Sequence, residues 1–226
     1  MNFIYYFKYF FFIGINWNFP LAFFTIYHEI KGELKYRINT IRLDRLHNLE
    51  IKGNNLTHAS IYQGANYYVL KKAFSYLKSI NANDNIVDFG SGKGRAMAVA
   101  ANYGFKNITG IDFSSDLCKD AEKNIEGIQS SFPSANFKII CDDATHYKIE
   151  TDDQVFFFFN PFDEVIMLQV AKNILLSLKQ KPRQIYIVYV NPLHKEIFLS
   201  AGFEEEYYLK KLKYIELSLL SNEPDE

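Results

Sequence analysis

Asp88, Gly90, Gly92 and Gly94 stand at alternate positions in the stretch NIVDFGSGKGRAMAVAA, which runs from Asn85 to Ala101. Ile86, Val87 and Phe89 form a short apolar run of the kind buried in a parallel sheet, and Asp88 interrupts it near its carboxyl end. Ala96, Ala98, Ala100 and Ala101 then suit a close-packed helix. A strand, a glycine turn and a helix start therefore follow one another. Glycines let the backbone turn sharply and approach a ligand closely, and the free N–H groups of a helix start favour an anion. The unit is expected to bind an adenosine-containing ligand at the carboxyl end of the strand, against Asp88, Gly90, Ser91, Gly92 and Gly94. A dinucleotide site needs G-x-G-x-x-G, and its third glycine would fall where this chain has Arg95.

The D-x-G-x-G-x-G pattern resembles motif I of the class I, seven-stranded S-adenosylmethionine-dependent methyltransferases, whose loop wraps the methionine part of the cofactor. The resemblance implies S-adenosyl-L-methionine as cofactor and S-adenosyl-L-homocysteine as product. It implies an α/β fold, a Rossmann-like three-layer sandwich with a mostly parallel seven-stranded sheet and a C-terminal antiparallel hairpin. NITGIDFS, from Asn107 to Ser114, reads as a second strand ending in Asp112, about twenty residues after the glycines, where a carboxylate can accept both ribose hydroxyls. Gly110 and Asp112 match the family's second motif. The competing reading of Asp112 is a role beside the next helix cap, which Ser114 or Ser115 fills equally well. NFKIICDDATHY supplies a third strand stopping at Cys141; Asp142, Asp143 and Ala144 resemble the family's acidic segment beside the adenine, and aspartates there are also ordinary turn formers. Tyr62, followed by Gln63 and Gly64, is the candidate for a family tyrosine that folds over the cofactor, against a plain core-covering role.

The acceptor side is expected at the end of a fourth strand. Val155 to Phe159 is a fully apolar run, and Asn160, Pro161 and Phe162 emerge from it. Amino-directed members of the family carry Asp or Asn, two prolines and an aromatic residue there, the Asn or Asp oxygen holding the attacking nitrogen and the ring packing on the acceptor. This chain lacks one of the prolines and continues with Asp163. Asn160, Pro161 and Phe162 are the candidate catalytic residues, Asn160 also bordering the cofactor. Methyl transfer asks mainly for alignment and exclusion of water, and an amine acceptor must also be held neutral, which a desolvated pocket favours and a carboxylate such as Asp163 would oppose. His28, beside Glu29, and His194 are expected to be packed or capping rather than catalytic.

The expected activity is transfer of a methyl group to an amine nitrogen. DFGSGKG followed by an Ala-rich helix also resembles the non-SET lysine methyltransferases of histone type, which brings in protein lysine as an acceptor, although that branch has Glu where this chain has Asp112. The alternatives are a small-molecule O- or N-methyltransferase and a non-catalytic cofactor-binding scaffold. A small-molecule enzyme predicts an acceptor pocket formed by the amino-terminal segment; a protein substrate needs an open channel.

These elements must be carried by 226 residues that are 48% hydrophobic, enough to bury one full core. The division expected is an aromatic-rich helical extension over 1–56, a catalytic domain over 57–220 and a polar tail over 221–226. A net charge of -1 gives no footprint for nucleic acid. Cys118 and Cys141 form neither a disulfide framework nor a metal-ligand spacing, which fits the cytoplasm and no metal. In the amino-terminal stretch MNFIYYFKYFFFIGINWNFPLAFFTIYHEI, Lys8, Asn16 and Asn18 interrupt the apolar run, so a spanning helix is not expected. A helix docked on the domain is favoured over a membrane-surface helix, with a homo-oligomer contact as a further use of the same aromatic face. A second helix is expected from Pro20 to Lys35, where Leu21, Phe24, Tyr27 and His28 recur at helical spacing.

Overall fold

The computed structural model describes residues 3–41, 64–82, 84–159 and 162–223. Seven strands form one sheet: β1 Asn85–Phe89, β2 Asn107–Asp112, β3 Asn136–Cys141, β4 Val155–Phe159, β5 Tyr186–Val190, β6 Glu204–Lys211 and β7 Ile215–Ser221. Their order is β3-β2-β1-β4-β5-β7-β6. The first five are parallel, while β7 runs antiparallel between β5 and β6. The hairpin expected from the sequence is there, with its second strand, β7, making the contact to the rest of the sheet. Strand order reverses between β1 and β4, so their carboxyl ends diverge into a crevice of the kind that receives ligands in open α/β sheets.

Helices cover both faces, and alternation along the strands sorts the side chains between them. Ile86, Val155, Phe157, Val188, Leu217 and Leu219 belong to one core, shared with α3 Tyr67–Ser79, α4 Arg95–Asn102 and α5 Ser115–Gln129. Val87, Phe89, Phe156, Phe158, Ile187 and Tyr189 belong to the other, against α6 Glu164–Gln180 and the short α7 Glu196–Leu199. Central strands buried on both sides explain why β4 and β5 read as continuous apolar runs and why Asp88, within β1, is buried.

Two further helices precede this unit. In α1 Phe3–Asn16 and α2 Phe19–Tyr36, Tyr9, Ile13, Leu21 and Ala22 join the first core, so the extension packs on the domain. Asn18 caps α2 by accepting the Leu21 N–H at 2.8 Å, Pro20 sits in its first turn, and Arg37 ends it in the left-handed region with φ 55°. The opposite face of the pair exposes Ile4, Phe7, Phe11, Phe12, Ile15 and Phe23. Among the described residues no helix is long and apolar enough to cross a membrane.

Candidate cofactor loop and acceptor cleft

The glycine turn has a conformation that L side chains resist. Gly90, Gly92 and Gly94 all have positive φ, at 77°, 53° and 77°. The Gly90 and Ser91 N–H groups both donate to the Ile111 carbonyl at 2.9 Å, which ties the turn to the end of β2. Three side-chain contacts fix it from other directions. Lys93, almost wholly buried, forms an ion pair with Asp120 at 3.3 Å, and Asn124 Nδ2 donates to the Lys93 carbonyl at 2.9 Å, both on α5. Asp112 Oδ2 accepts the Gly92 N–H at 2.8 Å, and its Oδ1 accepts the Ser114 N–H at 2.9 Å. A Cβ on Gly110 would lie 2.4 Å from Met97 Sδ, so β2 and α4 meet at the distance only glycine allows.

Both aspartates expected here are buried. Asp88 is pushed up to about 8, chiefly by burial and then by the neighbouring Asp112 charge. Asp112 is pushed up to about 6 by burial, against the Ser114 and Gly92 N–H groups that favour its ionised form. Ser114, not Asp112, caps α5. The buried Ser91 Oγ has no hydrogen-bond partner. An unpartnered hydroxyl on a left-handed glycine cradle fits a small carboxylate such as that of the cofactor's methionine part. When bound, S-adenosylmethionine supplies a methyl group on an electron-poor sulfonium sulfur.

At the end of β3, Asp143 uses Oδ1 on the Thr145 N–H and hydroxyl, at 2.8 and 2.7 Å, and so starts the short 3-10 turn Ala144–His146. Ala144 is buried, while Asp142 is exposed and within 3.2 Å of His146 Nδ1. The turn-forming reading therefore accounts for Asp143, and Asp142 is the carboxylate directed outward. Tyr62, Asn160 and Pro161 lie outside the described residues. Phe162 is buried in the core on the α6 side, while Phe159, two positions beyond Phe157 on the same face of β4, lines the cleft described below. Asp163 caps α6, its Oδ1 accepting the Val165 and Ile166 N–H groups. His28 packs among Phe24, Tyr27 and Tyr68, with burial as the main cause holding it below the ordinary histidine range.

A cleft of about 180 Å³ lies where the amino-terminal helices cross the carboxyl ends of β4 and β5. Tyr9, Trp17, Leu21 and Thr25 form one wall; Phe159, Val190, Asn191, Tyr214 and Ile215 form the other. Glu29, Gly64 and Asn66 complete it. Glu29 is 2% exposed and paired with Arg95, which immediately follows the glycine turn: Nη1 donates to Oε1 at 2.9 Å, and Nη2 stands 2.7 Å from Oε2. Arg95 also donates from Nε to Thr40 Oγ1 at 2.7 Å and from Nη1 to the Ala65 carbonyl at 2.9 Å, and it lies over the Tyr67 ring. One buried guanidinium thus joins the cofactor loop to the cleft. Sequence reasoning noted Glu29 only as the neighbour of His28 and Arg95 only as the residue that breaks the dinucleotide pattern. The available signal was an acidic residue on the inward side of an aromatic helix.

Residues 86–181 match the family described as a methyltransferase domain. No curated protein matches the sequence. Among solved structures, yhhF of Escherichia coli, provisionally named a methyltransferase, aligns with TM-score 0.56 and 13% identity over 74% of this chain and 92% of its own. Magnesium protoporphyrin IX methyltransferase from Synechocystis, with bound S-adenosylmethionine, aligns with TM-score 0.51 and 12% identity over 69% and 79%. An rRNA methylase from Streptococcus thermophilus aligns with TM-score 0.50 and 14% identity over 68% and 95%. At these identities the likeness is one of fold. The family match over 86–181, the G-x-G-x-G loop and the seven-stranded sheet agree: residues 86–181 match a methyltransferase domain, and the sheet that contains them has the fold of the class I, S-adenosylmethionine-dependent methyltransferases.

Proposed function

We propose that this methyltransferase acts on an amine nitrogen of a small molecule held in the cleft between the amino-terminal helices and the carboxyl ends of β4 and β5. The observation that carries the reading is the cleft itself: Tyr9, Trp17, Leu21 and Thr25 from the amino-terminal helical segment line it together with Phe159, Val190 and Asn191 at the ends of β4 and β5. A protein side chain would need an open approach at this end of the sheet. A cleft of about 180 Å³ with aromatic and aliphatic side chains on both walls instead suits a compact acceptor.

In this reading the glycine turn, Ser91 and Asp112 hold the cofactor, and Arg95 keeps that loop in register with the acceptor wall. Phe159, Trp17 and Tyr9 orient the acceptor and exclude water, while Asn160 supplies an oxygen for the attacking nitrogen as its place after β4 suggests. The chain's part in the chemistry is to hold the acceptor in line and to keep its nitrogen deprotonated.

The test is a two-step measurement on the full chain. Calorimetric titration with S-adenosylhomocysteine should give saturable binding. Incubation with S-adenosylmethionine and a panel of small amines, small alcohols and unfolded protein should then give methylated products from the amines. Methylation confined to protein would overturn the small-molecule reading; products confined to alcohols would overturn the nitrogen assignment.

A further inference from the structure

Among the described residues, the acceptor cleft contains one acidic group. Glu29 reaches it from α2 and is 2% exposed; its Oε2 stands 2.7 Å from Arg95 Nη2 as an ion pair and accepts no hydrogen bond. Arg95 is also shared, with Glu33 Oε1 at 3.7 Å from Nη2, so two carboxylates face one guanidinium. Across the cleft wall, the buried Asn66 Nδ2 has no partner, because Asn66 commits its Oδ1 to the Tyr68 N–H at 2.9 Å as the cap of α3. Thr25 and Asn191 add polar groups, and the rings of Tyr9, Trp17, Phe159 and Tyr214 supply aromatic faces, which favour a cation. The volume, about 180 Å³, exceeds only slightly the roughly 150 Å³ that accommodates benzene.

Resting on the small-molecule reading above, we propose that Glu29 is the residue that receives the acceptor: a small amine on an apolar body about the size of one ring binds as its ammonium ion, and Glu29 takes the proton that must leave before transfer. The balance is complete without another reagent. The ammonium gives one proton to the Glu29 carboxylate, leaving a neutral amine and a carboxylic acid. The nitrogen lone pair then forms the N–C bond as the C–S bond breaks, its electron pair staying with sulfur, and the methylated ammonium departs. Glu29 returns its proton to water. Asn66 Nδ2 is placed to donate to a hydrogen-bond acceptor on the same molecule.

The surroundings of Glu29 suit this exchange. Burial pushes its carboxyl up to about 7, opposed by Arg95 and assisted by Glu33. The other titratable groups against it are Tyr6 on α1, raised to about 12 mainly by burial, and Tyr67 on α3, also raised well above its ordinary value by burial. Both stay neutral across the range in which Glu29 titrates.

The experiment measures binding, not turnover, to the full chain saturated with S-adenosylhomocysteine. The probes are benzylamine, benzyl alcohol and toluene, which share a ring and differ in the polar group. Benzylamine is expected to bind about tenfold more tightly than the other two, as a charge-assisted contact would give. Its affinity should fall when the pH is lowered from 8 to 6, where an alkyl amine, like lysine at ~10.4, stays protonated and Glu29 is the cleft-lining carboxylate that loses its charge. Toluene should show no such fall. In Glu29→Gln the preference for benzylamine should shrink to less than about twofold with S-adenosylhomocysteine binding retained. Because that variant could fail to fold, the wild-type pH series stands alone: pH-independent benzylamine binding overturns the role of Glu29. Equal binding of all three probes also overturns it while leaving the small-molecule reading intact. Binding of none, with S-adenosylhomocysteine still bound, overturns the small-molecule reading itself.

Discussion

Asp112 holds the glycine turn through its second residue: the carboxylate at the end of β2 accepts the Gly92 N–H at 2.8 Å while its other oxygen accepts the Ser114 N–H. The side chain expected to meet the ribose therefore also shapes the loop expected to meet the methionine part. Asp112→Ala should weaken S-adenosylhomocysteine binding by more than the loss of one ligand contact, about a hundredfold or greater by calorimetry, since two N–H groups lose their acceptor. The same variant should lose about 2 kcal/mol of stability in urea, and Asp112→Asn, which keeps an oxygen, should lose less.

The Arg95–Glu29 pair should be costly to halve and cheap to remove. Arg95→Met leaves a carboxylate that is 2% exposed facing only Glu33, and about 3–5 kcal/mol of stability should go with it. The double variant Arg95→Met, Glu29→Met should recover most of that loss in urea denaturation. It should nonetheless bind benzylamine no better than toluene, which separates the pair's structural part from its part in recognition.

Two glycines should fail for different reasons. At Gly94, φ is +77° but an added Cβ would meet Ala121 at an ordinary 3.5 Å, so Gly94→Ala should cost only the left-handed backbone penalty of about 1–2 kcal/mol. At Gly110 the added carbon would sit 2.4 Å from Met97 Sδ and 2.9 Å from Ser91 Cβ. Gly110→Ala should therefore lower both thermal stability and S-adenosylhomocysteine affinity, and shortening Met97 to Ala in the same chain should relieve only part of it, because Ser91 remains in the way.

Stability should decline as pH rises from 4 to 8. Burial raises Asp88 to about 8 from an ordinary aspartate value of ~3.9, so the folded state prefers the neutral acid. Its contribution is fully present below the unfolded value and is lost as pH rises through the folded one. Asp112, raised to about 6, has the same sign. Asp88→Asn should flatten the curve of urea midpoint against pH between 4 and 8, removing on the order of 3 kcal/mol of its fall.

The core of this fold was legible because a central parallel strand leaves a plain trace. Val155–Phe159 was read with the bounds it has, and the glycine loop, β2 ending at Asp112 and β3 ending at Cys141 all stand where the sequence put them. Their signals are local, each a run of apolar residues closed by a turn. The cleft was not legible. Its walls come from α1, α2, the approach to α3, two strand ends and the start of β7, so no window of sequence contains it. Phe162 shows the same limit on a smaller scale: an aromatic residue after a strand can turn to either face, and here the helix cap at Asp163 carries it toward α6. Arg95 and Glu29, 66 residues apart, become partners only when α2 folds across the start of α4.

The position of β7 bears on how this chain acquires its structure during synthesis. Residues 215–221 pair with β5 on one side and β6 on the other, so the edge of β5 stays bare until residue 221 has left the ribosome. Until then Val188 and Val190 lack the Leu217 and Leu219 side chains that share their core, and an apolar strand edge is open to pairing with other nascent chains. The sheet that forms the floor of the site is closed by a long-range insertion of β7 between β5 and β6.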